Sequence, residues 1–416
     1  MQRAVRNSAV ALVLATTALA ATACGSSGGG KQAAADQKQT LTVWGMGTEG
    51  EKLGEVAKEY ERAHPNITVK VTPVGWDVAH QKLVSAAAAG TLPDIAQMGG
   101  TYLGEFADLG VLEPVDTKAF KQDDFFKAGW DQGVADGTAY GVPWYVDTRV
   151  LYYRKDLAAK AGITQPPATW QELQEDAAAL QKKAGSKWGI YLQSSGLDTV
   201  QSFYPFLYSA GGAIVDDDGK AAVNTPAAVK AFDYYGSFFS KGLSRKSVAP
   251  GYDVTKDFNT GVVPMFFSGP WHMGILQQQY PQLNGKWAVA PVPADQSSTS
   301  MAGGSSLVVS KDSEHKAAAQ EFIRYLTGAE GQAEWYKLTA DLPANKAAWD
   351  SGDLAQSPDL QVFLKQMETA KAAPTLANLT EITSKVDDAL GSVDQGKASP
   401  KSAADSAQSQ VENLLK

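Results

Sequence analysis

One cysteine, Cys24, stands in 416 residues, so no internal disulfide can staple this chain. The four histidines, His64, His80, His272 and His315, are scattered without the spacing of a metal site. There is no G-x-S-x-G nucleophile motif and no phosphate-cradling loop, and the many carboxylates form no pattern of paired catalytic acids. Basic runs are missing and the net charge is −8, which argues against a nucleic-acid partner. No apolar run reaches the roughly 20 residues that span a bilayer. What is present is ordinary globular material, 44 % apolar and 20 % charged, in a length that suits two domains sharing a hinge. Ten Trp and fifteen Tyr are a generous supply of rings that serve at wet, partly apolar binding surfaces.

The N-terminus reads as a targeting segment, residues 1–23. Arg3 and Arg6 give it a basic start, and Ala9 to Ala20 is apolar apart from Thr16 and Thr17. Ala21-Thr22-Ala23 then leads to Cys24. This arrangement resembles a bacterial lipobox, with Ala21 where a Leu is usual, and it implies a lipid-modified Cys24 after cleavage. An ordinary cleaved signal with a nearby cysteine is the alternative. Residues 24–39, rich in Gly, Ser, Ala, Gln and Lys, read as a flexible leash that reaches at most ~50 Å.

From Thr40 the pattern alternates between strand and helix. Leu41 to Trp44, Ile67 to Val71 and Pro93 to Met98 are strand-like. Thr48 with Glu51 predicts a capping box, and Asp77 predicts a helix N-cap. Farther along, Thr169 with Glu172 predicts a second box, Thr225-Pro226 a helix start, and Gly269-Pro270 another. Strands are expected at 262–267, 287–292 and 307–309, a helix at 312–326 stopped by Gly328, and helices through the last 70 residues. The βαβα order predicts a mostly parallel α/β sheet flanked by helices.

Gly137 to Asp147 (GTAYGVPWYVD) followed by Leu151 to Leu157 (LYYRKDL) resembles the family 1 extracellular solute-binding proteins, the sugar-capturing subunits of ABC importers. Further likenesses follow in the family's order: Thr91-Leu92-Pro93-Asp94-Ile95, Ser268-Gly269-Pro270-Trp271, Gly303 to Val309 and Leu342-Pro343-Ala344. The resemblance covers about residues 40 to 350. It implies a periplasmic-binding-protein type II fold, with two α/β lobes and a ligand cleft between them, joined by three crossings near 145–150, 288–291 and 339–343. One lobe would combine 40–146 with 290–338, and the other 147–289 with 344–416. The implied partners are a carbohydrate and the permease subunits of the transporter. No enzyme activity, cofactor, metal or nucleic acid is implied, and the protein is expected to be a monomer.

A sugar has an apolar C–H face and a rim of hydroxyls, so its site needs aromatic platforms and fixed polar partners; an unpaired buried hydroxyl costs about 1–3 kcal/mol. Candidates fall at the C-terminal ends of strands, where open α/β sheets bind ligands. The resemblance places Trp44, Thr48 and Glu49 against the ligand, although Trp44 at a strand end also suits a core. Trp76 is a possible lid beside Asp77. Gln97 and Thr101 can bond hydroxyls while Gly99 permits close approach, unless the segment is simply a tight turn. Trp144, Tyr145 and Asp147 sit at the first crossing, where Asp147 could instead pair with Arg149. Trp271 projects from a helix start. Gly303, Gly304 and Ser305 offer backbone N–H groups. Gln193, Tyr204, Trp335 and Tyr336 suit core or rim better. A non-sugar solute in the same fold, or a secreted glycosidase, are the competing readings.

Overall fold

The computed structural model describes residues 38–194, 199–249 and 252–416. The targeting segment, Cys24 and the leash up to residue 37 lie outside the described residues. The leash ends earlier than expected, because Gln39 already pairs with Ile67 in a strand.

The strands in chain order are β1 (Gln39–Met46), β2 (Ile67–Val74), β3 (Ile95–Gly99), β4 (Val134–Ala135), β5 (Thr138–Ala139), β6 (Gly141–Thr148), β7 (Val150–Arg154), β8 (Met265–Ser268), β9 (Trp287–Ala290), β10 (Met301–Val309), β11 (Leu342–Pro343) and β12 (Lys371–Ala372). Seven of them form one sheet in the order β11-β6-β10-β3-β1-β2, with β12 beside β10; β8-β7-β9 form a smaller one, and β4 and β5 a short hairpin. In β1, Leu41 and Val43 are wholly buried while Thr42 between them is exposed, the two-residue alternation of a half-covered strand.

The expected βαβα opening is present. Helix α1 (Gly47–Ala63) joins β1 to β2, α2 (Trp76–Ala89) joins β2 to β3, and α3 (Gly100–Asp108) follows β3. Leu53, Ala57 and Tyr60 of α1, spaced four and three apart, are buried against the sheet. The sheet is mixed, however, and not mostly parallel. β1 runs parallel to β2 and β3, but β10 lies antiparallel between β3 and β6, and β11 is antiparallel to β6. The smaller sheet is antiparallel throughout. The reason is that β10 enters from a distant part of the sequence, so no crossover helix dictates its direction.

Local helix signals succeed where the side chain makes the bond. Thr169 accepts from the Glu172 backbone while Glu172 reaches back, a complete capping box, and Thr225 caps a helix whose first residue is Pro226. Two others differ. α1 begins at Gly47 behind Met46 with no side-chain cap, and α2 begins behind Gly75, leaving Asp77 as an acid in its first turn. There Asp77 still favours the positive end of the helix dipole.

The chain passes between the sheets with little slack. β6 ends at Thr148 in the larger sheet and β7 begins at Val150 in the smaller, so Arg149 alone separates them. Residues 291–300 make the return from β9 to β10. After β11 the chain stays beside the larger sheet longer than expected, since β12 still pairs with Met301 and Ala302. The closing helices, Leu379–Asp394 and Pro400–Leu414, then pack on helix Pro226–Ser240.

Candidate functional site

Glu49 stands in the first turn of α1 and is buried. Its carboxylate accepts hydrogen bonds from the side chains of Tyr145, Trp76 and Gln97. Burial pushes this carboxyl above its ordinary range, and these donors together with its own backbone N–H only partly offset that. Trp76, the first residue of α2, lies over Gly47. A Cβ on Gly47, which has φ +53°, would sit 2.6 Å from the indole, so only glycine leaves room for it. Trp76 nonetheless remains 39 % exposed.

Tyr145 and Asp147 alternate with Val146 on β6, which puts both on one face of the strand. Gln97 donates to the Tyr145 hydroxyl at 3.4 Å and to Ser305 Oγ at 3.3 Å, while its own oxygen accepts from the Met46 N–H at 2.6 Å. Asp147 pairs with Arg149 Nη1 at 2.5 Å. The Arg149 guanidinium in turn lies 4.7 Å from the ring centre of Trp271. Trp271 opens helix Trp271–Gln279, folds back over Gly269 and is 42 % exposed. Two runs of contacts, Trp76–Glu49–Tyr145 and Asp147–Arg149–Trp271, thus share β6 and end in two partly exposed tryptophans. Stacked cation and ring, carboxylate rim and open aromatic face are the parts a polyhydroxyl ring needs.

Several expected residues are placed differently. Trp144 is wholly buried, its ring 4.5 Å from that of Trp335; strand alternation sends it to the opposite face of β6 from Tyr145, which is itself buried. Gln97 is wholly buried, its amide bonded to Met46, Tyr145 and Ser305. Gly303, Gly304 and Ser305 lie within β10 and not before it, paired with Asp147, Val146 and Tyr145 of β6. Gly303 matters by its lack of a side chain, because a Cβ there would come within 2.6 Å of the Asp147 carboxylate. Trp44 is partly buried with Lys82 Nζ 4.4 Å from its ring centre, which occupies one face. Thr48 is exposed at the start of α1, and Gly99 and Thr101 lie at the β3–α3 junction next to Trp76.

Asp341 escaped the sequence reading. It accepts from Trp335 Nε1 at 2.9 Å, and burial, with the Glu49 carboxylate adding to it, pushes its pKa up to about 7. The adjoining Leu342-Pro343 pairs with Val146 and Tyr145, so Asp341 arrives at the Asp147 end of β6. Only the neighbouring Leu-Pro pair was visible as a signal.

Cavities also lie elsewhere. One of about 1150 Å³ is lined by Phe126, Asp131, Trp349, Glu368, Lys371 and Pro374 among others, and by none of the expected site residues. Its two largest rings, Phe126 and Trp349, are buried, so it offers no aromatic platform, whereas Trp76 and Trp271 do.

The bacterial extracellular solute-binding protein family matches residues 45–333. The chain belongs to that family. Like the sugar-binding protein MalE of Xanthomonas citri, the solute-binding protein has the two-lobe type II fold; the two are 33 % identical with a TM-score of 0.84, over 91 % of this chain and 97 % of the other. A putative binding protein of Brucella abortus is 30 % identical over 92 % of this chain and 94 % of its own. The maltodextrin-binding protein MdxE of Bacillus subtilis is 25 % identical, covering 97 % of each. The sn-glycerol-3-phosphate-binding protein UgpB of Salmonella typhimurium is 28 % identical over 91 % of this chain and 92 % of its own. These are binding proteins and not enzymes. In this solute-binding protein no helix among the described residues is long and apolar enough to cross a membrane.

Proposed function

We propose that this solute-binding protein captures a di- or oligosaccharide outside the cell and hands it to the permease of an ABC importer. The observation that carries the reading is the pair of exposed indoles, Trp76 and Trp271, joined by hydrogen-bonding and charged side chains. A sugar laid between them gains platforms for its C–H faces and acceptors for its hydroxyls. The site comprises Trp76, Glu49, Tyr145, Asp147 and Trp271, with Thr48, Thr101 and Ser305 beside them and Gln97, Gly99, Gly303 and Gly304 shaping it. The sugar-binding relatives support the same class of solute.

The lobes are those of residues 40–146 with 290–338 and 147–289 with 344–416, the third crossing extending toward β12. Solute bridges the lobes and favours the closed form by the contacts it gains there. Closure presents both lobes to the permease. Cys24, carrying lipid after removal of residues 1–23, tethers the protein to the outer face of the membrane through the leash.

Titration of the protein with maltose, maltotriose, lactose and galactosyl oligosaccharides, followed by Trp fluorescence and calorimetry, tests this. Saturable binding of at least one in the micromolar range or tighter is expected. Silence toward all of them, with saturation by a polyol or sn-glycerol 3-phosphate, would replace the sugar by another solute of the same fold.

A further inference from the structure

Trp271 opens its helix behind Pro270 with no side-chain capping bond, and its ring is partly exposed. The indole lies directly over Gly269, where a Cβ would fall 2.0 Å from the ring. The orientation of the Gly269 peptide therefore decides where the indole sits.

That peptide is pinned from the core. The Tyr152 hydroxyl donates to the Gly269 carbonyl at 2.7 Å. Tyr152 stands in the middle of β7, wholly buried, and its ring centre lies 4.9 Å from that of Phe266 and 5.8 Å from that of Trp287, stacked on both. Those rings come from β8 and β9, the two strands that pair with β7. The Tyr152 ring is thus held without help from its hydroxyl. A Phe would fill the same space and leave no polar atom to satisfy; what the oxygen adds is the bond to the turn under Trp271. A second contact closes that turn. Ser268 Oγ and His272 Nδ1 are 2.6 Å apart and bridge the residues on either side of Trp271. Burial pushes the His272 pKa down to about 4, so near neutral pH the imidazole is uncharged and can accept from the Ser268 hydroxyl.

We propose that Tyr152 is a positioning residue for sugar capture, acting through the Gly269 carbonyl to hold the Trp271 indole in the pose that receives a sugar face, a role that rests on the reading of Trp271 as a platform and deepens it. A platform fixed before the sugar arrives loses less freedom on binding, so the bond to Gly269 raises affinity without touching the solute. The chain at β7 then serves the indole twice, directly through Arg149, which immediately precedes the strand, and through the turn by way of Tyr152.

The test is a double-mutant cycle on the full chain, read by calorimetry with whichever of maltose, maltotriose and lactose binds the parent most tightly. Tyr152→Phe should weaken binding about fivefold in the parent and by less than about 1.5-fold once Trp271→Ala is present, because a residue that acts through the indole has nothing to act on in its absence. A merely structural role would weaken both backgrounds alike. Ser268→Ala loosens the same turn from its other side and should cost about threefold with the same dependence on Trp271, which answers the question should Tyr152→Phe not fold. A loss that is absent, or equal with and without the indole, overturns the positioning role and leaves the platform standing where Trp271→Ala itself weakens binding. Trp271→Ala without effect overturns the platform and the positioning role together, as does the absence of a saturable response to every sugar.

Discussion

Replacing Trp271 by alanine should weaken sugar binding more than any other single truncation at the rim. Its side chain is 42 % exposed. For a residue of roughly 250 Å² that is about 100 Å² of ring available to a sugar face, worth about 2.5 kcal/mol at ~25 cal/mol per Å². The corresponding loss of affinity is roughly 70-fold. Little of this should appear as lost stability, because the residue is in the first turn of its helix and partly exposed, and Arg149 keeps its bond to Asp147. Isothermal calorimetry with the tightest sugar found for the parent, beside far-UV circular dichroism, separates the two effects. A Kd within threefold of the parent, in a variant that is folded, would show that the exposed indole is not a platform and would refute the argument from its open face.

Three further substitutions probe neighbouring parts of the structure. Gly269→Ala places a methyl where the Trp271 ring now lies, 2.0 Å from its nearest atom, so the ring must swing away and sugar affinity should fall about tenfold in the same titration. Asp394 is 1 % exposed with neither carboxylate oxygen bonded, and burial pushes its pKa from 3.8 up to about 9. The folded state therefore holds this proton more tightly than the unfolded one, and stability drains away as pH rises from about 4 to about 9. Asp394→Asn should gain on the parent by at most ~1.4 kcal/mol per pH unit across that window, read as a difference in urea midpoint between pH 5 and pH 8; a gap that does not widen with pH refutes it. Ala340→Gly relieves a left-handed residue and should raise stability by about 1 kcal/mol in urea denaturation, a lower midpoint being the contrary result.

What could be read from the chain was what short-range physics decides. The Thr169–Glu172 box and the Thr225-Pro226 start are complete within four residues, and both formed. The three opening strands with their helices follow from apolar spacing alone. The direction of β10 did not follow, since its partners β3 and β6 are about 200 and 160 residues away and nothing local constrains it. Trp144 and Tyr145 look equally suited to a cleft in the sequence; that Trp144 packs wholly into the core depends on Trp335, about 190 residues downstream, taking it up. The bonds of Gln97 to Met46, Tyr145 and Ser305 could not be read from the sequence, because they are contacts between separate strands. Asp341 was passed over because a single acid ahead of a Leu-Pro pair carries no periodicity and no motif.

The passage from β6 to β7 through Arg149 alone ties recognition to motion. The same side chain that completes the charged edge under Trp271 is borne by one of the backbone passages about which the two halves are proposed to swivel. Under the proposed closure, torsion at that position would shift the grip on the guest as it shifts the halves, coupling residence time to the opening rate. Variants selected for a new guest should therefore accumulate around Trp76 and α2, where the walls can be reshaped without disturbing the pivot.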